Sequence, residues 1–223
     1  MKGLSRPQIA WRLAQDIPEG ACVNLGSGMP LLVSDHVPAG REVIFHSENG
    51  ILGIGPRQQG PDLDLSLVNA GNIPVTLLPG GAYFHHADSF HMVRGGHIDI
   101  SVLGAYQVSG QGDLANWDLP ASRKAPAVGG AMDLAVGARQ VFVMMEYFAK
   151  DASAKLVPQC SLPLTGLQCV TRIYSDLAVI EIHADRVVVT GLLPEISLEM
   201  LQQGTDVPLI LAENHTVLSA PEL

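Results

Sequence analysis

Six short runs of apolar, β-prone residues punctuate the chain: 21–25 (ACVNL), 43–46 (VIFH), 73–78 (IPVTLL), 98–103 (IDISVL), 140–145 (QVFVMM) and 177–182 (LAVIEI). Most are continuous, not alternating, which is the pattern of strands covered on both faces, as in a parallel sheet between helical layers. Helical patterns lie between some of them. Residues 5–16 begin at Ser5 with Gln8 three positions on, a capping box, and Ile9 and Leu13 share one face. Pro30 suits the start of a helix through 31–37, and Asp88 suits the cap of one through 89–94. Gly129-Gly130-Ala131 opens another through 138, and 195–203 reads as the last. This alternation predicts one α/β domain over 1–223, a three-layer sandwich around a largely parallel sheet. The Pro/Gly-rich stretches 53–61 and 120–130 read as loops at the sheet's edge, and about the last ten residues as a loose tail.

Composition narrows the picture. A chain of 223 residues is long enough for one sizeable core. Only 16% of residues are charged against 47% hydrophobic, a low charge for a free-standing surface. Part of the surface is therefore expected to be covered by another chain, although a large core gives the same numbers. The net charge is −9 and the 13 Lys and Arg form no cluster, so the basic surplus that displaces counterions from a nucleic acid is missing. Cys22, Cys160 and Cys169 show no CxxC pairing, as expected of reduced thiols in a cytoplasmic protein. No signal segment and no apolar run of spanning length is visible, so no membrane partner is expected.

The candidate chemistry sits on glycine turns and one acid. NLGSGMP (24–30) follows a strand and precedes a helical pattern, a place where backbone amides can meet an anion. It lacks the GxGxxG spacing and the acidic residue of a dinucleotide site. PGG (79–81), RGG (94–96) and VGG (128–130) also end apolar runs, and together such turns form a crevice open to a long ligand. Each alone is equally a plain strand-ending turn. His85, His86 and His91 share no helical face, and Asp88 is more simply a helix cap, so no metal site is predicted. His97 reads as a hydrogen-bonded structural residue, and no GxSxG elbow supports a serine hydrolase. Glu48 is different: it closes an apolar run on an Asn49-Gly50 turn. The residues alone leave it open as an ion-paired structural acid, a general base or a covalent nucleophile.

Taken together, these motifs resemble the B (β) subunit of the class I CoA-transferases, the 3-oxoacid and 3-oxoadipate type, and the C-terminal half of the single-chain succinyl-CoA:3-oxoacid form. The matching text is VNLGSGMP (23–30), SENGILGIGP (47–56), VNAG (68–71), LLPGGAYF (77–84), SFHMVRGGHIDISVLGAYQVSGQGDLANW (89–117), GGAMDLAVGA (129–138) and KLVPQCSLPLTGLQC (155–169). It covers most of 20–182 in order. The resemblance implies a three-layer fold with a CoA-transferase sheet and Glu48 as the nucleophile that carries CoA as a thioester. It further implies Asn24 and the Gly129-Gly130 backbone as donors to the reacting carbonyl oxygen. CoA and the acid would meet Gly26, Gly28, Asn49, Gly50, Gly53 and Gly80. Coenzyme A is then a substrate, with no metal or other cofactor. The expected partner is the family's other (α) chain, of similar fold, in an A2B2 heterotetramer that completes the site. Some positions depart from the family pattern: Asn72 stands where a lysine is usual, Arg57-Gln58 follow the GxGP, and His85-His86 replace small serines. Glu146-Tyr147 also differ, and Arg123 and Lys124 are the substitutes for lysines that would meet CoA phosphates. Two rivals stay open: an acyl-CoA hydrolase in which water collects the glutamyl intermediate, and a ligand sensor that needs the crevice but not the acid.

Overall fold

The first helix starts where its capping box predicts. In the structure, a computed structural model that describes residues 3–58, 60, 63–119 and 127–223, Ser5 caps α1 (Arg6–Asp16) and Gln8 returns the bond to the Ser5 amide. Its Ile9 and Leu13 are fully buried, which is worth about 1.5–3 kcal/mol each.

Strands β1 (Cys22–Leu25), β2 (Ile44–Ser47), β3 (Ile51–Arg57), β4 (Val75–Tyr83) and β5 (Ile100–Gly104) come first. With β8 (Gln140–Met144), β10 (Val170–Tyr174), β11 (Ala178–Ile182), β12 (Val187–Leu192) and β13 (Leu209–Val217) they form one sheet ordered β13-β12-β11-β10-β8-β5-β1-β2-β3-β4. The five central strands, β10 to β2, are parallel throughout, and antiparallel pairs flank them. The short β6 (Gln107–Ser109), β7 (Leu114–Ala115) and β9 (Leu156–Val157) make a separate small sheet.

The chain steps from β1 to β2 in one direction and then returns to β5 and β8 on the other side of β1. Right-handed crossovers send the two sets of connections to opposite faces. α1 accordingly packs on a 3-10 helix (Met29–Asp35), while α2 (His86–Arg94) and α3 (Ala131–Gly137) pack on each other, with α3 also against β5. Three layers result, with α4 (Leu198–Gln202) beside β13.

Several sequence expectations are corrected. The helix expected at 31–37 is 3-10, and the cap of α2 is the His85 side chain, which accepts from the Ala87 amide, with Asp88 in the first turn instead. The last helix is trimmed to five residues because Ser197 caps it. Four strands of the large sheet, β3, β10, β12 and β13, and all three of the small one lie outside the six apolar runs. The expected loop at 53–61 is strand as far as Arg57, and the tail is strand to Val217, with Leu218 buried beside Leu192.

Candidate active site

β2 ends in a buried Ser47, and the hairpin to β3 pairs Ser47 with Ile51. Only Glu48, Asn49 and Gly50 connect them. The Gly50 amide donates to the Ser47 carbonyl (3.0 Å), and the Gly50 carbonyl accepts from the Phe84 amide (3.0 Å). Gly50 sits at φ 112°, where a Cβ would collide with the Phe84 carbonyl oxygen, so only glycine fits. The Asn49 side chain donates to the Val68 carbonyl (2.8 Å), and the Ser47 hydroxyl accepts from the Ala70 amide (2.8 Å). The turn is tied to the chain on both sides, and Glu48 is the half-buried side chain it presents.

Behind this turn lies a buried polar chain. The Asn24 amide group donates to His46 Nδ1 (2.9 Å) and to the His46 carbonyl (3.3 Å), while His46 Nε2 meets the Ser89 hydroxyl of α2 (2.8 Å). The carbonyl fixes the Asn24 orientation, because the flipped amide would set oxygen against oxygen. Burial then lowers the His46 pKa to about 4, so the ring is neutral, accepts at Nδ1 and donates at Nε2.

The carboxyl ends of β1, β5 and β8 lie at the point where the strand order reverses, the usual place for a ligand crevice in such a sheet. A cavity of about 580 Å³ opens there, walled by Gly26, Leu103, Met144, the 127–131 turn and Glu48. A second, of about 570 Å³, lies against α2 and is lined by His86, Phe90, Arg94 and Asp133. Glu48, Gly129 and Gly130 belong to both cavities. At Gly130 a Cβ would lie 2.6 Å from Phe90 Cζ and 3.0 Å from Glu48 Oε2, so the missing side chain is what lets the carboxylate sit there. Among the described residues nothing accepts a hydrogen bond from the Gly129 or Gly130 amide. Burial raises the Glu48 pKa; His86 opposes that rise, and Asp133 adds to it.

The structure thus brings Glu48, Gly26, Gly129 and Gly130 to one place. Gly28, at φ 82°, caps the 3-10 helix. Asn24 lines neither cavity, and both of its amide hydrogens are taken by His46, so the donor role expected of it lacks a free N–H. Gly53 and Gly80 also line neither cavity: they have φ of 79° and 87° in the β3–β4 ladder, where a Cβ on Gly53 would come 2.9 Å from Gly81. Their positive φ angles bend that hairpin. Arg57 is paired with Asp35, Tyr147 is core with its hydroxyl on the Leu201 carbonyl (2.9 Å), and Asn72 is an exposed turn residue at φ 59°. Arg123 and Lys124 lie outside the described residues. Among the described residues no group of three metal-ligating side chains converges, and no helix is long and apolar enough to cross a membrane. Glu146, noted in the sequence as a departure from the family pattern, lines the first cavity, and so do Arg6 and Lys155, which nothing in the sequence singles out.

Known proteins match this chain in both sequence and fold. The family model for coenzyme A transferases matches residues 6–203. The B chain of the 3-oxoadipate CoA-transferase of Pseudomonas putida is 56% identical over 209 residues, 94% of this chain and 98% of that one. The B chain of a probable succinyl-CoA:3-ketoacid coenzyme A transferase of Bacillus subtilis is 42% identical, over 94% of this chain and 97% of that one. Among solved structures, an acyl-CoA transferase from Escherichia coli O157:H7 superposes with a TM-score of 0.74 at 15% identity. The match covers 97% of this chain but 43% of that one, so this chain spans less than half of that transferase and shares its fold.

Proposed function

The chain belongs to the coenzyme A transferase family, and from that premise we propose that it is the Glu48-bearing subunit of an enzyme that moves CoA from succinyl-CoA to a 3-oxoacid such as 3-oxoadipate. The observation that carries this reading is the Glu48 carboxylate itself, presented on a pinned three-residue turn and shared by two cavities at the sheet's switch point.

The carboxylate attacks the thioester carbonyl, giving a mixed anhydride and CoA thiolate. The thiolate attacks the glutamyl carbonyl, releasing succinate and leaving a glutamyl-CoA thioester. The acceptor carboxylate attacks that thioester, which re-forms an anhydride and frees the thiolate, and the thiolate takes the new acyl group and returns Glu48 to a carboxylate. One thioester replaces another, so neither ATP nor a metal is required. Charge on the carbonyl oxygen is met by backbone N–H at Gly129 and Gly130, one such donor being worth ~3–4 kcal/mol of barrier. Gly26 lines the cavity at the end of β1, where its lack of a side chain lets the strand approach Val102 and Leu103, and the neutral Asn24–His46–Ser89 chain braces the Glu48 turn from behind. The anhydride survives only if water is excluded. Exposed Met132 and Val136 on α3, with Leu167, offer an apolar face for the companion α chain, and A2B2 is the assembly we expect, in the cytoplasm where the three thiols stay reduced.

Purified with its companion chain, the natural protein should transfer CoA to 3-oxoadipate with ping-pong kinetics, and Glu48→Ala should not. Full transfer by Glu48→Ala would overturn the reading, and full transfer by this chain alone would overturn the need for a partner.

A further inference from the structure

Lys155 is a charge without a directly bonded partner among the described residues. It lines the same cavity as Glu48 and is half-buried, yet among the described residues its ammonium makes no ion pair or hydrogen bond. Each nearby carboxylate has one oxygen engaged elsewhere. Glu146 Oε1 receives both Arg6 Nε (3.2 Å) and Nη2 (3.0 Å), and Asp176 Oδ1 receives the Tyr147 amide (2.7 Å). Burial lowers the Lys155 pKa, and Glu146 and Asp176 hold it up through space while Arg6 opposes them. A half-buried ammonium left unpaired is costly to keep unless a ligand uses it.

Its position is fixed by backbone. The Lys155 carbonyl accepts from the Val108 amide (2.8 Å), and the next residue, Leu156, is buried and opens β9 against β6. Glu146 and its neighbours follow β8, whereas Glu48 follows β2, and β5 and β1 lie between. Three strand spacings, ~14 Å in all, separate the strand ends that carry Glu146 and Glu48. Lys155 lies near enough to Glu146 for their charges to interact, and it lines the cavity that Glu48 also lines.

We propose that Lys155 binds the distal carboxylate of the acid whose other carboxylate reacts at Glu48, and so selects dicarboxylic over monocarboxylic substrates. A single ammonium beside an already satisfied Arg6–Glu146 pair suits one carboxylate and not a polyphosphate. The inference rests on the transferase reading above and deepens it: a succinyl donor and a 3-oxoadipate acceptor both carry such a second carboxylate.

The test uses the complex of this chain with its companion, charged with CoA from succinyl-CoA and then mixed with 3-oxoadipate or acetoacetate. For Lys155→Met the ratio of kcat/KM for 3-oxoadipate over acetoacetate is expected to fall ~10-fold or more, mostly through KM, while Lys155→Arg keeps most of the preference. Lys155→Gln serves if the Met variant does not fold. An unchanged ratio in a variant that still carries the CoA adduct overturns this inference alone, as does a natural enzyme with no preference for the dicarboxylate. Failure of the natural complex to acquire CoA on Glu48 overturns the transferase reading, and this inference with it.

Discussion

Glu48 is costly to the fold at the pH where it works. Burial raises its pKa, so the folded chain holds that proton more tightly than the unfolded chain does. As pH rises from the ordinary glutamate value through the raised one, the unfolded chain gives up its proton first and stability is lost. The neutral Glu48→Gln is therefore expected to melt at a higher temperature than the natural chain at pH 7 and at the same temperature below the ordinary glutamate pKa. Its CoA transfer should be slower by ~10⁴-fold or more. Melting curves at the two pH values check the first expectation, and an equal melting temperature at pH 7 contradicts it. His46 runs the other way. Its folded pKa is near 4 against the ordinary value of 6.5, so the unfolded chain binds the extra proton between those values and stability falls as pH falls through that window, by up to about 3 kcal/mol. Denaturant midpoints should fall between pH 6.5 and 4 and flatten in His46→Gln. Glu48 could be read in the sequence because an acid ending an apolar run is out of place. Lys155 could not: its signal is the absence of a bonded partner among the described residues, which no sequence spacing reveals. Asn24 was legible in type but not in aim, since only the paired strand shows that His46 takes both of its hydrogens.

At the scale of elements, the hairpin β2–β3 and the turn before α3 do the positioning. Ala at Gly50 must adopt a left-handed φ and move Phe84, so Gly50→Ala should lose at least ~1–3 kcal/mol of stability together with activity. Gly130→Ala should act more selectively. Its methyl meets Phe90 and the Glu48 carboxylate, and a displacement on the order of 1 Å costs ~10²-fold in rate, so kcat should fall far more than the melting temperature. Equal losses in kcat for Gly130→Ala and an exposed control such as Gly20→Ala would count against this view of the turn. Four of the five parallel central strands were readable because strands buried on both faces are written as unbroken apolar runs, whereas half-buried Thr171 and Arg172 interrupt β10. β3 was not readable, since its Gly53, Gly55 and Pro56 look like breakers but sit at register shifts that tolerate them. β13 escaped because an edge strand exposes polar residues such as Glu213 and Asn214, so its apolar signal is thin.

The whole molecule has a half-open character. The two cavities described above meet at one carboxylate, yet large apolar side chains remain exposed on α3 and along β4 and β13, among them Val136, Tyr83 and Val217. Low overall charge pointed to a covered surface, but composition does not say which face, and only the fold shows that Met132 and Val136, just after the Gly129–Gly130 turn, point outward. The measurement that bears most directly on Glu48 as the carrier is intact-mass and peptide mass spectrometry of the complex after brief exposure to succinyl-CoA. A CoA thioester is expected on the Glu48 peptide; it should disappear when an acceptor acid is added and never form in Glu48→Ala. A fully active complex with no such adduct, or with CoA attached at another residue, would contradict it.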